Sequence, residues 1–250
     1  GEFVNFASSL QLGMRSVRRK WAECKLFRPV GVALGLLLAV PVTSSTNHAA
    51  EETTKSSFFL PKSPTAAAYV LGRLSNKELT EAPRSEFVYV ALLKRKGLER
   101  KYRVEALEGL AKARNTDPLT ELIGGLRGLD QKGEDSEPVL RDLAVILLQT
   151  KPADLAAKRS DLEKLATEAQ LPLTRQMAYA AVITADGSAD RTWPQVASDS
   201  AKLSDVLLAI PLLRDTNLRA ALYPKVQPLL PKAEPAEVHR ASIAAIAAVP

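Results

Sequence analysis

The chain has 250 residues, 46% of them hydrophobic and 25% charged, which supplies enough apolar mass for a sizeable core and excludes a wholly disordered polymer. A net charge of +6 and a pI near 9.4 would suit a nucleic-acid binder, but the excess sits at the front. Arg15, Arg18, Arg19, Lys20, Lys25 and Arg28 face only Glu2 and Glu23, leaving 28 basic and 26 acidic residues in 51–250, interleaved without a basic stripe, so no nucleic-acid partner is expected.

Residues 1–50 read as a signal peptide or signal anchor with a basic n-region. The basic cluster leads into the uncharged, mostly apolar run from Val30 to Val40, closed by Pro41. A spanning helix needs about 20 such residues, whereas a secretory core needs about 7–15. Small and polar residues follow, ending in His48-Ala49-Ala50, where a signal peptidase can cut. In the uncleaved alternative, the segment 26–42 crosses the bilayer with some tilt and is the only membrane contact. Cys24 precedes the apolar run, so it is misplaced for a lipid acceptor, and Arg18-Arg19 fits a twin-arginine signal poorly. Met14 directly precedes the basic cluster, so residues 1–13 are expected to belong to an over-extended start. Each reading exports the body to the periplasm or cell envelope. Cleavage would remove the single cysteine, and with it disulfide, thiolate or Cys-x-x-Cys-His haem chemistry within this stretch.

Glu51 to Ser57 is polar and aperiodic and reads as a flexible linker. From residue 58 to 250 the expectation is all-α. Helical spacing of apolar residues, as in Ala67, Val70, Leu71 and Leu74, recurs, and strand-like alternation is never sustained. Proline, glycine and capping residues delimit helices over 64–74, 84–96, 99–114, 117–128, 136–149, 153–170, 173–185, 193–198, 202–213, 216–230 and 235–248. Asp117-Pro118 and Ser136-Glu137-Pro138 each place a capping oxygen ahead of a first-turn proline. Short loops between such helices make neighbours antiparallel.

Following one helix type along the chain brings out a repeat. Arg103 precedes Ala106, Arg141 precedes Ala144 and Arg175 precedes Ala178 by three residues, each pair opening an apolar helix, and Arg240 opens the Ala241 to Ile246 helix. A period in the thirties matches a two-helix solenoid unit, in which alanine lets stacked helices approach and the arginine stem reaches a neighbouring carboxylate. The alternative is an irregular helical bundle in which these matches are chance. The chain stops at Ala247-Ala248-Val249-Pro250, without a polar capping repeat, as expected of a truncated array.

The stretches Phe58 to Lys62, Ala66 to Ser75, Glu81 to Phe87 and Tyr102 to Leu107 resemble the exported HEAT-repeat proteins of planctomycete-type bacteria. The resemblance covers about 58–250, and its specific part ends near 114. It implies an α-solenoid of antiparallel helix pairs, often placed ahead of a c-type cytochrome or copper-protein domain. That company implies a link to periplasmic electron transfer, but no haem-binding motif lies in this chain and no family site residue carries over. Two functions follow as expectations. One is a non-catalytic scaffold that holds a protein partner or a downstream domain of its own chain. The other is the helical part of a larger redox enzyme whose cofactor domain lies beyond residue 250.

Chemistry is sparse in the body. His239 is its one histidine and reads as a surface or capping residue beside Arg240. Gly124-Gly125-Leu126-Arg127-Gly128 lacks the lysine of a phosphate loop and reads as close helix packing followed by a stop. Glu105 with Glu108, and Glu134 with Asp135, read as solvated faces, and the acidic run Asp130 to Glu137 lacks calcium-loop spacing. Trp193 and Tyr223 read as core aromatics or, less simply, interface anchors. No catalytic residue, metal ligand or cofactor is expected.

Overall fold

The computed structural model describes residues 59–131, 136–231 and 235–250. The expected signal or anchor and the linker before residue 58 lie outside the described residues. Among those described the chain is all-helical, with no strand. No described helix is long and apolar enough to cross a membrane.

The first helices are α1 (Pro64–Arg73), α2 (Asn76–Glu81), α3 (Glu86–Lys94) and α4 (Arg100–Arg114). Helix α2 departs from the sequence expectation, which left 75–83 unassigned. It is nucleated by a capping box: the Ser75 hydroxyl accepts from the Glu78 N–H, and the Glu78 carboxylate accepts from the Ser75 N–H at 2.8 Å. Asn115 ends α4 in the left-handed region at φ 53°, a conformation asparagine tolerates better than most residues.

Next come α5 (Pro118–Leu129), α6 (Glu137–Gln149), α7 (Pro152–Ala157), α8 (Arg159–Glu168) and α9 (Pro172–Asp186). Asp117 caps α5 as its sequence implies, accepting from the Thr120 N–H at 2.9 Å. Ser136 does not cap α6. Its own backbone is already helical (φ −93°, ψ −9°), and its hydroxyl instead donates to the Leu129 carbonyl at 3.0 Å, closing the end of α5. The single helix expected over 153–170 is broken at Lys158 (φ −112°, ψ 17°), which lets α7 and α8 each pack on α9. No proline or glycine marks that break; the Lys158 ammonium lies 2.8 Å from Asp117.

The remaining elements are α10 (Trp193–Val196), α11 (Ser200–Ala209) with a 3-10 turn at Ile210–Leu212, α12 (Thr216–Ala221), α13 (Tyr223–Val226) with a 3-10 turn at Gln227–Leu229, and α14 (Ala236–Ala247). The helix expected over 216–230 is therefore three short pieces. Pro224 opens the second and Pro228 lies in the third, and neither can donate the hydrogen bond that would continue the helix before it.

Helices α3, α5 and α8 pack in succession, and so do α4, α6, α9, α11 and α14. Cross-packing of α3 with α4, α4 with α5, α5 with α6 and α8 with α9 joins the two rows. Between α9 and α11 the only intervening helix is the four-residue α10, and α9 packs directly on α11. The core between the rows is continuous and aliphatic. Leu92, Leu110, Leu126, Leu143, Leu147 and Leu162 are fully buried or nearly so, and each such side chain contributes about 2 kcal/mol. Glycine sets two close approaches. A Cβ on Gly125 would lie 2.9 Å from Leu93 Cδ2, and one on Gly109 would run into the Tyr89 ring. Arg159 in α8 and Asp186 at the end of α9 form a bidentate pair at 2.7 and 3.0 Å that staples these antiparallel helices.

Candidate functional site

The arginines singled out in the sequence fall into two groups. Arg103, fourth in α4, is completely buried. It donates to the Leu93 carbonyl at 2.7 Å and the Arg95 carbonyl at 2.9 Å, so it closes the C-terminal end of α3, and it reaches Asp142 in α6 at 3.1 Å. Burial pulls its guanidinium below the ordinary arginine value, and Asp142 opposes that pull. Arg175, fourth in α9, repeats the arrangement two helices further along the row, with α6 between them. It donates to the Ala169 and Gln170 carbonyls at 3.1 and 2.9 Å, at the end of α8, and to Asp205 in α11 at 2.6 Å.

Arg141 and Arg240 sit fifth in α6 and α14, and both are exposed. Arg141 pairs with Glu137 within its own helix. The fourth positions there are Leu140, fully buried, and His239, half-buried. The structure therefore brings Arg103 and Arg175 into one kind of site and leaves Arg141 and Arg240 at the surface. The companion residues Ala106, Ala144 and Ala178 are all buried.

Two open grooves border this row of helices. The smaller, about 420 Å³, runs along one side of α11 between the starts of α9 and α14, and Arg175, Gln176, Asp205, Leu208, Glu237 and Arg240 line it. The larger, about 620 Å³, lies between α4, the start of α5, the end of α6 and α7. Its floor is apolar, from Val104, Leu107, Leu119 and Ile146, and its ionisable lining groups are Glu108, Asp117, Asp154 and Lys158. Partial burial alone would raise the Asp117 carboxyl. The hydrogen bonds from Lys158 and from Thr120 outweigh it and hold the group at about 2, so it stays charged.

The other residues marked in the sequence do not converge. His239 is half-buried, and its buried Nδ1 has no hydrogen-bond partner among the described residues. Glu105 pairs with Arg84, while Glu108 lines the larger groove. Asp130 accepts from the Gln170 and Leu171 N–H groups at 2.6 and 2.9 Å, pinning the turn into α9, and Glu134 and Asp135 lie outside the described residues. Gly125 is a packing glycine, whereas Gly124 has open space about it. Trp193 is half-buried and Tyr223 is 42% exposed. Among the described residues no group of three or more His, Cys, Asp or Glu side chains is arranged to hold a metal ion. Sequence reasoning missed the larger groove, because Val104 lies in α4, Ile146 in α6 and Lys158 at the break after α7, so no single helix carries it. Only the apolar Val104 on an otherwise polar stripe of α4 hinted at it. No protein-family model, curated protein or solved structure matches the chain.

Proposed function

We propose that the body is an α-solenoid of HEAT-like helix pairs, exported to the periplasm or cell envelope, and that it works as a non-catalytic scaffold holding a protein partner or a neighbouring domain of its own chain. The observation that carries this reading is the order of packing. Helices α4, α6, α9, α11 and α14 stack each on the next, with α3, α5 and α8 stacked beside them, so principal contacts run between units close in the chain. The recurrence of one arginine device at Arg103 and Arg175, two helices apart in the row, supports it, since equivalent side chains doing the same work at two levels are what a repeat supplies. The α4-to-α14 row also leaves apolar side chains in solvent: Val104 is 39% exposed, Leu208 36% and Ile243 52%. A pre-ordered surface of this kind binds without the entropic cost of ordering itself.

The test combines location and contact. A β-lactamase fused after Pro250 protects cells from penicillins only if the body is exported. A photo-crosslinking residue at Val104, Leu208 or Ile243 should give discrete adducts, and one at Lys164, exposed on α8 in the other row, should not. A fusion that gives no protection, or crosslinks no stronger at the three apolar positions than at Lys164, would overturn the proposal.

A further inference from the structure

We infer that the larger groove docks a segment of a partner protein that presents an apolar side chain flanked by lysine or arginine. The inference rests on the scaffold reading and adds the chemistry of what is held. The floor supplies the apolar half of the argument. Val104 is 39% exposed, a β-branched side chain that its own helix leaves in water, and Leu107, Leu119 and Ile146 around it are buried or half-buried. An open volume of about 620 Å³ is in the range of sites that seat one large side chain with its flanks.

The rim supplies the charge. Lys158, the one cation among the described residues that line the groove, is committed to Asp117 at 2.8 Å. That leaves the exposed carboxylates of Glu108 and Asp154, which no described residue meets with an ion pair or a hydrogen bond. Across 51–250 the charges nearly balance, so this uncompensated pair is local rather than part of a general acidity. Two hydrated carboxylates around an apolar floor favour an occupant whose own cations land on the rim while its apolar side chain is desolvated at the centre. The smaller groove lacks this preference, since its lining Asp205 pairs with Arg175 at 2.6 Å and Glu237 is balanced in charge by Arg240 on the same groove. An anionic membrane surface is disfavoured at the larger groove for the same reason that a basic peptide is favoured.

The experiment is a fluorescence-anisotropy titration of the full chain with a labelled peptide of alternating leucine and lysine pairs and with its leucine/glutamate counterpart. The lysine peptide should bind, the glutamate peptide should bind at least tenfold more weakly, and added salt should weaken the first. Val104→Lys and the double substitution Glu108→Lys with Asp154→Lys should each lower affinity tenfold or more, whereas Leu208→Lys in the other groove should leave it unchanged. All these positions are exposed, and a circular-dichroism melt checks that the variants remain folded. Equal binding of the two peptides, no effect of the groove substitutions, or binding only to phosphatidylglycerol vesicles would each overturn the inference. If those results came with discrete crosslinks at Leu208 and Ile243, the scaffold reading would stand without this groove. Without crosslinks both would fall.

Discussion

Replacing Arg103 with methionine keeps most of the buried stem and removes the donors, so it isolates what the guanidinium does. Its bonds to the Leu93 and Arg95 carbonyls, at 2.7 and 2.9 Å, are charge-assisted and contribute about 1.5 kcal/mol each. The contact to the Leu92 carbonyl, at 3.4 Å, adds little. Asp142 keeps 35% of its side chain exposed and recovers water when its partner leaves, so the ion pair adds little either. A hydrophobic replacement of a buried ion pair is often neutral, but here the orphaned groups include backbone carbonyls that methionine cannot satisfy. The expected loss is therefore about 3 kcal/mol, a Tm lower by roughly 6–12 °C for a body of this size. Urea unfolding followed at 222 nm measures it, with the m-value checked because helices packed in succession can unfold in parts. Asp142→Asn should cost about 1 kcal/mol or less. An Arg103→Met protein within about 1 kcal/mol of the parent, or an Asp142→Asn loss as large as the arginine's, would refute the claim that the arginine's main work is to close α3.

Glycine substitutions should split by environment. Gly124→Ala, with open space around it, should stabilise α5 by about 0.5–1 kcal/mol, while Gly109→Ala, aimed at the Tyr89 ring, should destabilise by about 1–3 kcal/mol, both read by thermal melts. Asp117 is depressed to about 2 in the fold against 3.8 unperturbed, so its stabilising contribution is present above pH 3.8 and lost as pH falls through 2. Because its side chain is 47% exposed that contribution is discounted to about 1 kcal/mol, and Asp117→Asn should make the stability profile flatter between pH 4 and 2 in acid titrations. Burial pushes the Tyr179 phenol, whose hydroxyl has no hydrogen-bond partner among the described residues, up to about 12. Its contribution is full below pH 10 and declines as pH rises through 12. Tyr179→Phe should cost less than about 0.5 kcal/mol at neutral pH and reduce the alkaline loss of stability.

The helices were legible because their ends are chemical events. Proline at a first turn, Asp117 as a cap and Gly187 as a left-handed stop each write a boundary into the sequence. The break at Lys158 was not, because no residue there has a local preference for leaving the helix and the gain comes from two short helices both reaching α9. The arginines show how little separates a correct reading of type from one of place. One residue turns a helix by about 100°, so Arg103 in the fourth position is completely buried, while Arg141 in the fifth is exposed. Beyond the hint of Val104, the larger groove was not legible, because its floor comes from α4, α5 and α6 and its rim from α4 and α7, and no periodicity within one helix encodes a meeting of four.

The four-residue α10 has a mechanical consequence. From α4 to α9 the row is backed by α5 and α8, of 12 and 10 residues, but beyond α9 the backing thins to the four-residue α10 and the short α12 and α13, so that end resists bending with one layer instead of two. Flexure should concentrate there. A paired-label distance measurement spanning Lys164 to Lys225 would then spread more widely than one spanning an equal length between α4 and α8.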